Sequence, residues 1–309
     1  MPMKEDNLDT QLLKKHLGFS DSHKLKLSVI EGGFTSGFKF KVEVDGQLFF
    51  IKVTDLSHSA LDRIASIREV QNYKIIKQLN LKMFSDMRVY FQVGSRLYLV
   101  LNFEDAEFGA VNSQARLIKY LDTLRDISQV ELSDETMFKL RAFGSYHDLK
   151  IKQAKLSNCS SDPYITGGKL YDFNGNEIGP WLNKSTLDEL IESYSKEETR
   201  KALCFTDANF NNVGFLASGD IKLVDPAFLA FGDYLLDLAG VLNDYFLDRE
   251  VDLDLINMVN VSYFNNQLKQ KLVYILQGTA FDSGQGDNPW NKFMLKRARS
   301  ALWIINVLN

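Results

Sequence analysis

Cys204-Phe205-Thr206-Asp207-Ala208-Asn209-Phe210-Asn211-Asn212 leads into Val213-Gly214-Phe215-Leu216, and after Ala217-Ser218-Gly219-Asp220 into Ile221-Lys222-Leu223-Val224-Asp225-Pro226. Two short apolar runs around a Ser-Gly-Asp turn predict a hairpin over Val213–Leu216 and Ile221–Val224. Asp207 and Asn212 are five residues apart, and Asp225 lies thirteen beyond Asn212. A hairpin between them brings Asn212 and Asp225 to the same end of two strands. An amide oxygen and a carboxylate placed together suit Mg²⁺ beside phosphate oxygens. Asp207, one loop back, can accept a proton from an attacking hydroxyl. Asp-x-x-x-x-Asn alone also serves as a loop cap; the strand, turn, strand and Asp-Pro that follow favour the chemical reading.

Upstream, the chain supplies partners for such a site. Glu31-Gly32-Gly33-Phe34-Thr35-Ser36-Gly37 separates the apolar run Leu27–Ile30 from Phe38–Val44, which alternates apolar and polar as a half-buried strand does. Asp45-Gly46 is a hairpin signal, and Leu48–Val53 is the return strand. Gly33 and Gly37 therefore lie in a strand–strand turn, unlike loops that open a helix. Backbone N–H groups there can lie over a polyphosphate, with Thr35 and Ser36 adding hydroxyl donors; a plain hairpin with bulge glycines reads equally well.

Lys52 interrupts the apolar run Phe49-Phe50-Ile51 and Val53. A buried ammonium needs an anion nearby, although an edge lysine can snorkel instead. Ser59–Leu79 has helical periodicity through Leu61, Ile64, Ala65, Ile75, Ile76 and Leu79. Glu69 lies at the margin of that stripe, where it can face a strand or remain a solvated charge. Arg88–Gln92 and Leu97–Phe103 complete a small antiparallel sheet with one packed helix.

The remainder is mostly helical: Ser113–Leu124, Ser133–Tyr146, Thr186–Tyr194, and the chain from Tyr234 onward, with Pro289 opening the last helix. Ser157 to Pro180 reads as an irregular insert with a small hairpin around Leu170–Asn176.

Composition bounds the function classes. The 309 residues are 45% apolar and 25% charged, a globular balance large enough for one big domain or two lobes. Lys+Arg 36 against Asp+Glu 40 gives a net charge of −4, without the basic surplus of a non-specific nucleic-acid binder. Cys159 and Cys204 make no disulfide framework, and His16, His23, His58 and His147 show no metal-ligand spacing. The charged N-terminus and the lack of an 18-residue apolar run predict a cytoplasmic chain with no membrane partner. Oligomeric state leaves no signal.

Glycine turn, strand lysine and helix glutamate follow the order protein kinases use to hold ATP phosphates. With Asp207, Asn212 and Asp225 behind them, the chain from about Leu27 to Tyr245 resembles the aminoglycoside phosphotransferase and choline kinase family. The resemblance implies an α+β, protein-kinase-like two-lobed fold. Residues 1–103 would form a small antiparallel-sheet lobe with one helix, and 104–309 a larger helical lobe. It implies Asp207 as catalytic base, Asn212 and Asp225 as Mg²⁺ ligands, and Lys52 with Glu69 on the α/β-phosphates. Asn102 to Glu104 would offer hinge backbone groups to the purine of ATP, or of GTP in its place.

Gly232-Asp233-Tyr234-Leu235-Leu236-Asp237-Leu238-Ala239 is similar to the family's Gly-Asp-x-x-x-Asp-Leu-Ala, with Asp237 bracing the catalytic loop. Phe205-Thr206 replaces the family's His-Gly before the aspartate. The implied activity is transfer of the ATP γ-phosphate to a hydroxyl of a small molecule, an aminoglycoside-like antibiotic or an amino alcohol. A kinase acting on protein side chains and a nucleotide-binding module without transfer are the rivals. Glu104, Asp105, Glu107, Asp244, Asp248 and Glu250 would suit a cationic acceptor if they line the cleft, or are simply solvated helix ends.

Overall fold

The computed structural model describes residues 9–30, 37–141, 165–166, 169–171, 177–180, 201–283 and 289–308. They fall into two compact units: the chain through Ala110 together with Asn211–Leu229, and the segments 111–210 and from Ala230 on.

In the first unit, Asp9 caps a short helix α1 (Thr10–Leu17) by accepting the Leu12 N–H at 2.9 Å, and Gly18 at φ 80° ends it. Strands β1 (Leu25–Ile30), β2 (Phe38–Val44), β3 (Gln47–Asp55), β4 (Met87–Val93) and β5 (Arg96–Asn102) form an antiparallel sheet of order β1-β2-β3-β5-β4. The Asp45-Gly46 turn has positive φ at both residues, 48° and 81°, which matches the twist of the strands it joins. Phe40, Val42 and Val44 share one buried face with Phe49, Ile51 and Val53, and Leu13 of α1 packs into them. The His16 ring also stacks on Phe91, centroids 4.0 Å apart.

Alternation then sends Lys39, Lys41 and Lys52 to the opposite face. On that side lies α2 (Ala60–Gln78), capped by Ser59, which accepts the Asp62 N–H at 3.0 Å. Its buried residues include Glu69, Val70, Asn72, Tyr73, Ile75 and Ile76. The lobe thus holds two helices where the sequence reading had one. An eight-residue helix is too short for a periodic stripe, and its readable signals are the Asp9 cap and Gly18 stop.

Strands β6 (Ala106–Phe108), β11 (Val213–Leu216) and β12 (Ile221–Leu223) add a second sheet of order β12-β11-β6 to this unit. A Cβ at Gly214 would lie 2.8 Å from Ala106 Cβ and 2.9 Å from the Phe108 ring, so only glycine lets these strands approach.

The second unit contains α3 (Gln114–Ser128), α4 (Asp134–Arg141), a meander of β7 (Ile165–Thr166), β8 (Lys169–Tyr171) and β9 (Glu177–Pro180), and a β10 (Lys201–Cys204) to β13 (Ala230–Asp233) pair. Helices α5 (Leu235–Tyr245), α6 (Leu253–Phe264), α7 (Leu268–Ser283) and α8 (Pro289–Val307) follow. Leu238, Val241 and Leu242 of α5 are fully buried, and this helix packs on α3, α7 and α8. The Asn243 amide donates to the Arg297 carbonyl at 3.1 Å, while Ser300 Oγ donates to the Asn243 carbonyl at 2.8 Å. These bonds tie α5 to α8.

The β8–β9 pairing realises the hairpin expected around Leu170–Asn176. The helix expected over Thr186–Tyr194, and the end of the one expected over Ser133–Tyr146, lie outside the described residues. Among the described residues no helix is long and apolar enough to cross a membrane.

Candidate active site

Lys52 is the centre of the first unit. Its side chain leaves β3 on the α2 side and is 5% exposed, with Nζ 2.7 Å from Glu69 Oε2 and 3.3 Å from Asp225 Oδ2. Glu69 is equally buried on the inner face of α2. Burial alone would drive the Lys52 ammonium to lose its proton; the two carboxylates outweigh it and hold its pKa above the ordinary lysine value. Burial and then the Asp225 charge hold the Glu69 carboxyl above the ordinary carboxylate range, and Lys52 offsets only part of that rise. The result is a desolvated cation whose charge is kept by its two partners.

The hairpin delivers Asp225. Val213 faces Leu223 across β11 and β12, and the Val224 N–H donates to the Asn212 carbonyl at 3.0 Å. Asn212 and Asp225 thus stand at the same end of the hairpin, as their spacing requires. Asp225 sits at φ 55°, ψ 57°, a left-handed conformation that costs a non-glycine residue energy. Asn72 of α2 clamps the turn that follows, its Nδ2 donating to the carbonyls of Pro226 at 2.7 Å and Ala227 at 3.2 Å. Glu69 and Asn72 lie on the same buried side of α2, so one helix face sets both the lysine and the aspartate.

No cluster of three His, Cys, Asp or Glu suited to a metal occurs among the described residues. The available donor set is one amide oxygen and one carboxylate. That set fits Mg²⁺, which takes few protein oxygens and completes its shell with water and phosphate.

Lys39 lies directly opposite Lys52 in the β2–β3 register. It is half-buried, and burial followed by the like charge of Lys52 lowers its pKa. Gly37, just before β2, lies so close to β3 that a Cβ there would be 3.2 Å from Thr54 Oγ1 and 3.3 Å from the Val53 carbonyl. Gly33, Thr35 and Ser36 lie outside the described residues. At the end of β5, the Asn102 N–H donates to the Asp86 carbonyl at 2.9 Å and the Phe103 N–H to the Leu48 carbonyl at 3.2 Å, while Glu104 lies 3.6 Å from Lys222 Nζ.

The second unit builds its site on backbone. After β10, Phe205 is fully buried and Thr206 takes φ 61°, which presents Asp207 beyond it. The Asp237 carboxylate of α5 accepts the Phe205 N–H at 2.6 Å and the Thr206 N–H at 2.9 Å. Burial pushes the Asp237 carboxyl up to about 7, against the pull of those two N–H donors. The brace expected of Asp237 is therefore present. Phe205 packs an apolar ring directly behind this loop.

Asn209 Nδ2 donates to Asp207 Oδ1 at 2.8 Å and fixes one of its oxygens. Asp233 and Lys271 form a second buried pair at 3.1 Å, at the root of α5. Sequence reasoning quoted Lys39 and Asn209 only as parts of longer runs, and singled out none of Asn72, Lys39, Asn209 and Lys271 as a site residue. Lys271 had a signal, being a cation amid Leu268, Leu272, Val273 and Leu276.

The acidic residues take ordinary partners. Asp244 is buried and lies 2.7 Å from Arg297 Nε, and Asp248 lies 2.9 Å from Lys296 Nζ. With Glu104 beside Lys222, three of the six carboxylates considered for a cationic acceptor already have a cation within their own unit.

No family model and no curated protein matches the chain. Its structure is similar to the ethanolamine kinase of Plasmodium vivax at 13% identity and a TM-score of 0.59, covering 96% of this chain and 84% of that one. It is similar to the choline kinase of Streptococcus pneumoniae at 15% identity and 0.56, covering 95% and 98%. A spectinomycin phosphotransferase in complex with ADP and spectinomycin aligns at 15% identity and 0.55, over 100% of this chain and 98% of its own. The chain shares the protein-kinase-like fold of these phosphotransferases, a small antiparallel-sheet part and a helical part in an α+β arrangement.

Proposed function

We propose that the chain is a small-molecule kinase that moves the γ-phosphate of ATP to a hydroxyl group. The observation that carries this reading is the buried Lys52 between Glu69 and Asp225 in a chain with this fold. A desolvated ammonium held charged by two carboxylates is poorly explained as packing, since apolar residues of like volume fill a core at no such cost. It is well explained as a phosphate anchor.

Lys52 and the turn before Gly37, with Gly33, Thr35 and Ser36, bind the phosphates, and the segment Asn102–Glu104 meets the purine. Asn212 and Asp225 would hold Mg²⁺, which neutralises charge on the phosphate oxygens when bound. Asp207 orients the acceptor hydroxyl and takes its proton as the new O–P bond forms and the bond to the β-phosphate oxygen breaks. Asn209 holds one Asp207 oxygen and so fixes the orientation of the carboxylate. Asp237 holds the loop that carries them. The acceptor class is an aminoglycoside-like antibiotic or an amino alcohol. An acceptor amine would compete with Arg297, Lys296 and Lys222 for Asp244, Asp248 and Glu104.

ADP release measured across aminoglycosides, amino alcohols and sugars, with ATP and then GTP as donor, tests the reading. At least one acceptor should stimulate release. Asp207→Ala should lower turnover roughly 10²–10⁴-fold while ATP affinity stays within about threefold. Near-full turnover in that variant would remove Asp207 as base. Phosphate transferred to protein instead of small molecules would favour the protein-directed rival, and ATP binding without any transfer the non-catalytic one.

A further inference from the structure

We propose that Lys39 is a second phosphate-binding cation, acting beside Lys52 on the polyphosphate of a nucleoside triphosphate. The proposal rests on the nucleotide-binding reading above and adds a residue to it.

The placement follows from strand geometry. Lys39 and Lys52 are directly opposed in the antiparallel β2–β3 pair, and directly opposed residues project from the same face of a sheet. Lys52 projects toward Glu69 and Asp225, so Lys39 projects to that side too. Phe40 and Val42 occupy the other face with Leu13. Lys41, the next residue of β2 on the Lys39 side, has Nζ 4.4 Å above the ring of Phe103, beside the segment that would meet the purine. One face of β2 thus runs from the purine end, at Lys41, to the phosphate end, at Lys39.

Lys52 is already engaged by Glu69 and Asp225, so a second cation on the same face adds attraction for phosphate oxygens. Lys39 adds that cation across from Lys52, two residues after Gly37. Burial and then the like charge of Lys52 weigh on the Lys39 ammonium, and the carboxylates of Asp225 and Glu69 offset part of that cost. Anionic oxygens of a polyphosphate on this face would take charge-assisted hydrogen bonds from both lysines.

Titration calorimetry with the full chain is the test, using ATP, ADP and adenosine as separate ligands with Mg²⁺ present. Lys39→Ala should weaken ATP about tenfold, the scale of one charge-assisted hydrogen bond, and ADP less. Adenosine should bind as it does to the wild type, which also reports that the variant is folded. Lys39→Arg should recover ATP to within about threefold, and Lys39→Met, which keeps the stem without the charge, should behave as the alanine. Unchanged ATP affinity in the alanine and methionine variants overturns the proposal, as does a parallel loss of ATP and adenosine. A wild type that binds neither ligand overturns the nucleotide reading itself, a result distinct from either.

Discussion

In the first unit a buried cation is held between two carboxylates; in the second a buried carboxylate is held by two backbone N–H groups. Lys52 depends on its partners for its charge, because burial without Glu69 and Asp225 would strip its proton. Asp237 depends on its partners only for geometry: Phe205 and Thr206 donate to it at 2.6 and 2.9 Å, and burial still raises its pKa to about 7. The first arrangement fails when a charge is deleted. The second fails when an acceptor atom is deleted, and it tolerates loss of charge.

The largest effect should come from separating charges in the first unit. Lys52→Met leaves Glu69 buried beside Asp225 without its 2.7 Å ion-pair partner, and removing one partner of a buried pair costs about 3–5 kcal/mol. Urea denaturation should show that loss, together with loss of ATP binding. Lys52→Met combined with Glu69→Gln should regain much of the stability and none of the binding. A double variant no more stable than Lys52→Met would mean that the pair is uncoupled.

A smaller loss is expected in the second unit. Asp237→Ala orphans two buried N–H groups, a cost of about 2–4 kcal/mol, whereas Asp237→Asn keeps one oxygen acceptor and should cost less than half of that. Equal losses in the two variants would make the Asp237 charge the important feature. The pH dependence follows from the same group. Its folded pKa lies above the unfolded value near 4, so between about pH 4 and 7 the folded chain holds a proton that the unfolded chain has released. The Asp237 contribution is therefore fully present below pH 4 and falls as pH rises through 7. The stability difference between pH 5 and pH 8 should accordingly change in Asp237→Asn by removal of this downward component.

The smallest effect belongs to Thr206. A β-branched residue at φ 61° is strained, and Thr206→Gly should stabilise the chain by about 0.5–1 kcal/mol. A lower melting temperature in that variant would show that contacts of the threonine side chain outweigh the strain.

Where structure is local, it could be read from residue order. The Phe-Lys-Phe-Lys-Val-Glu-Val alternation, the Asp45-Gly46 turn and the Ser59 cap each produced the element expected, because periodicity and turn chemistry act within a few residues. The Asp207–Asn212–Asp225 spacing placed the last two correctly for the same reason, since a tight hairpin leaves its ends together. Helix α1 was too short to show a period. The β10–β13 pair joins segments about 30 residues apart, with no turn between them to announce it.

The sequence by itself determined the local elements, the hairpin that pairs Asn212 with Asp225, and the residue types able to hold phosphate and metal. Tertiary structure alone decided which charges meet. Lys52 reaches Glu69 across 17 residues of chain and Asp225 across 173. It also put Asn211–Leu229 in the same compact unit as the N-terminal sheet, Asn72 on the turn after Asp225, and Lys39 beside Lys52. Alternation tells which face of a strand is buried; only packing sets what that face is buried against, and a buried charge takes its meaning from the group it faces.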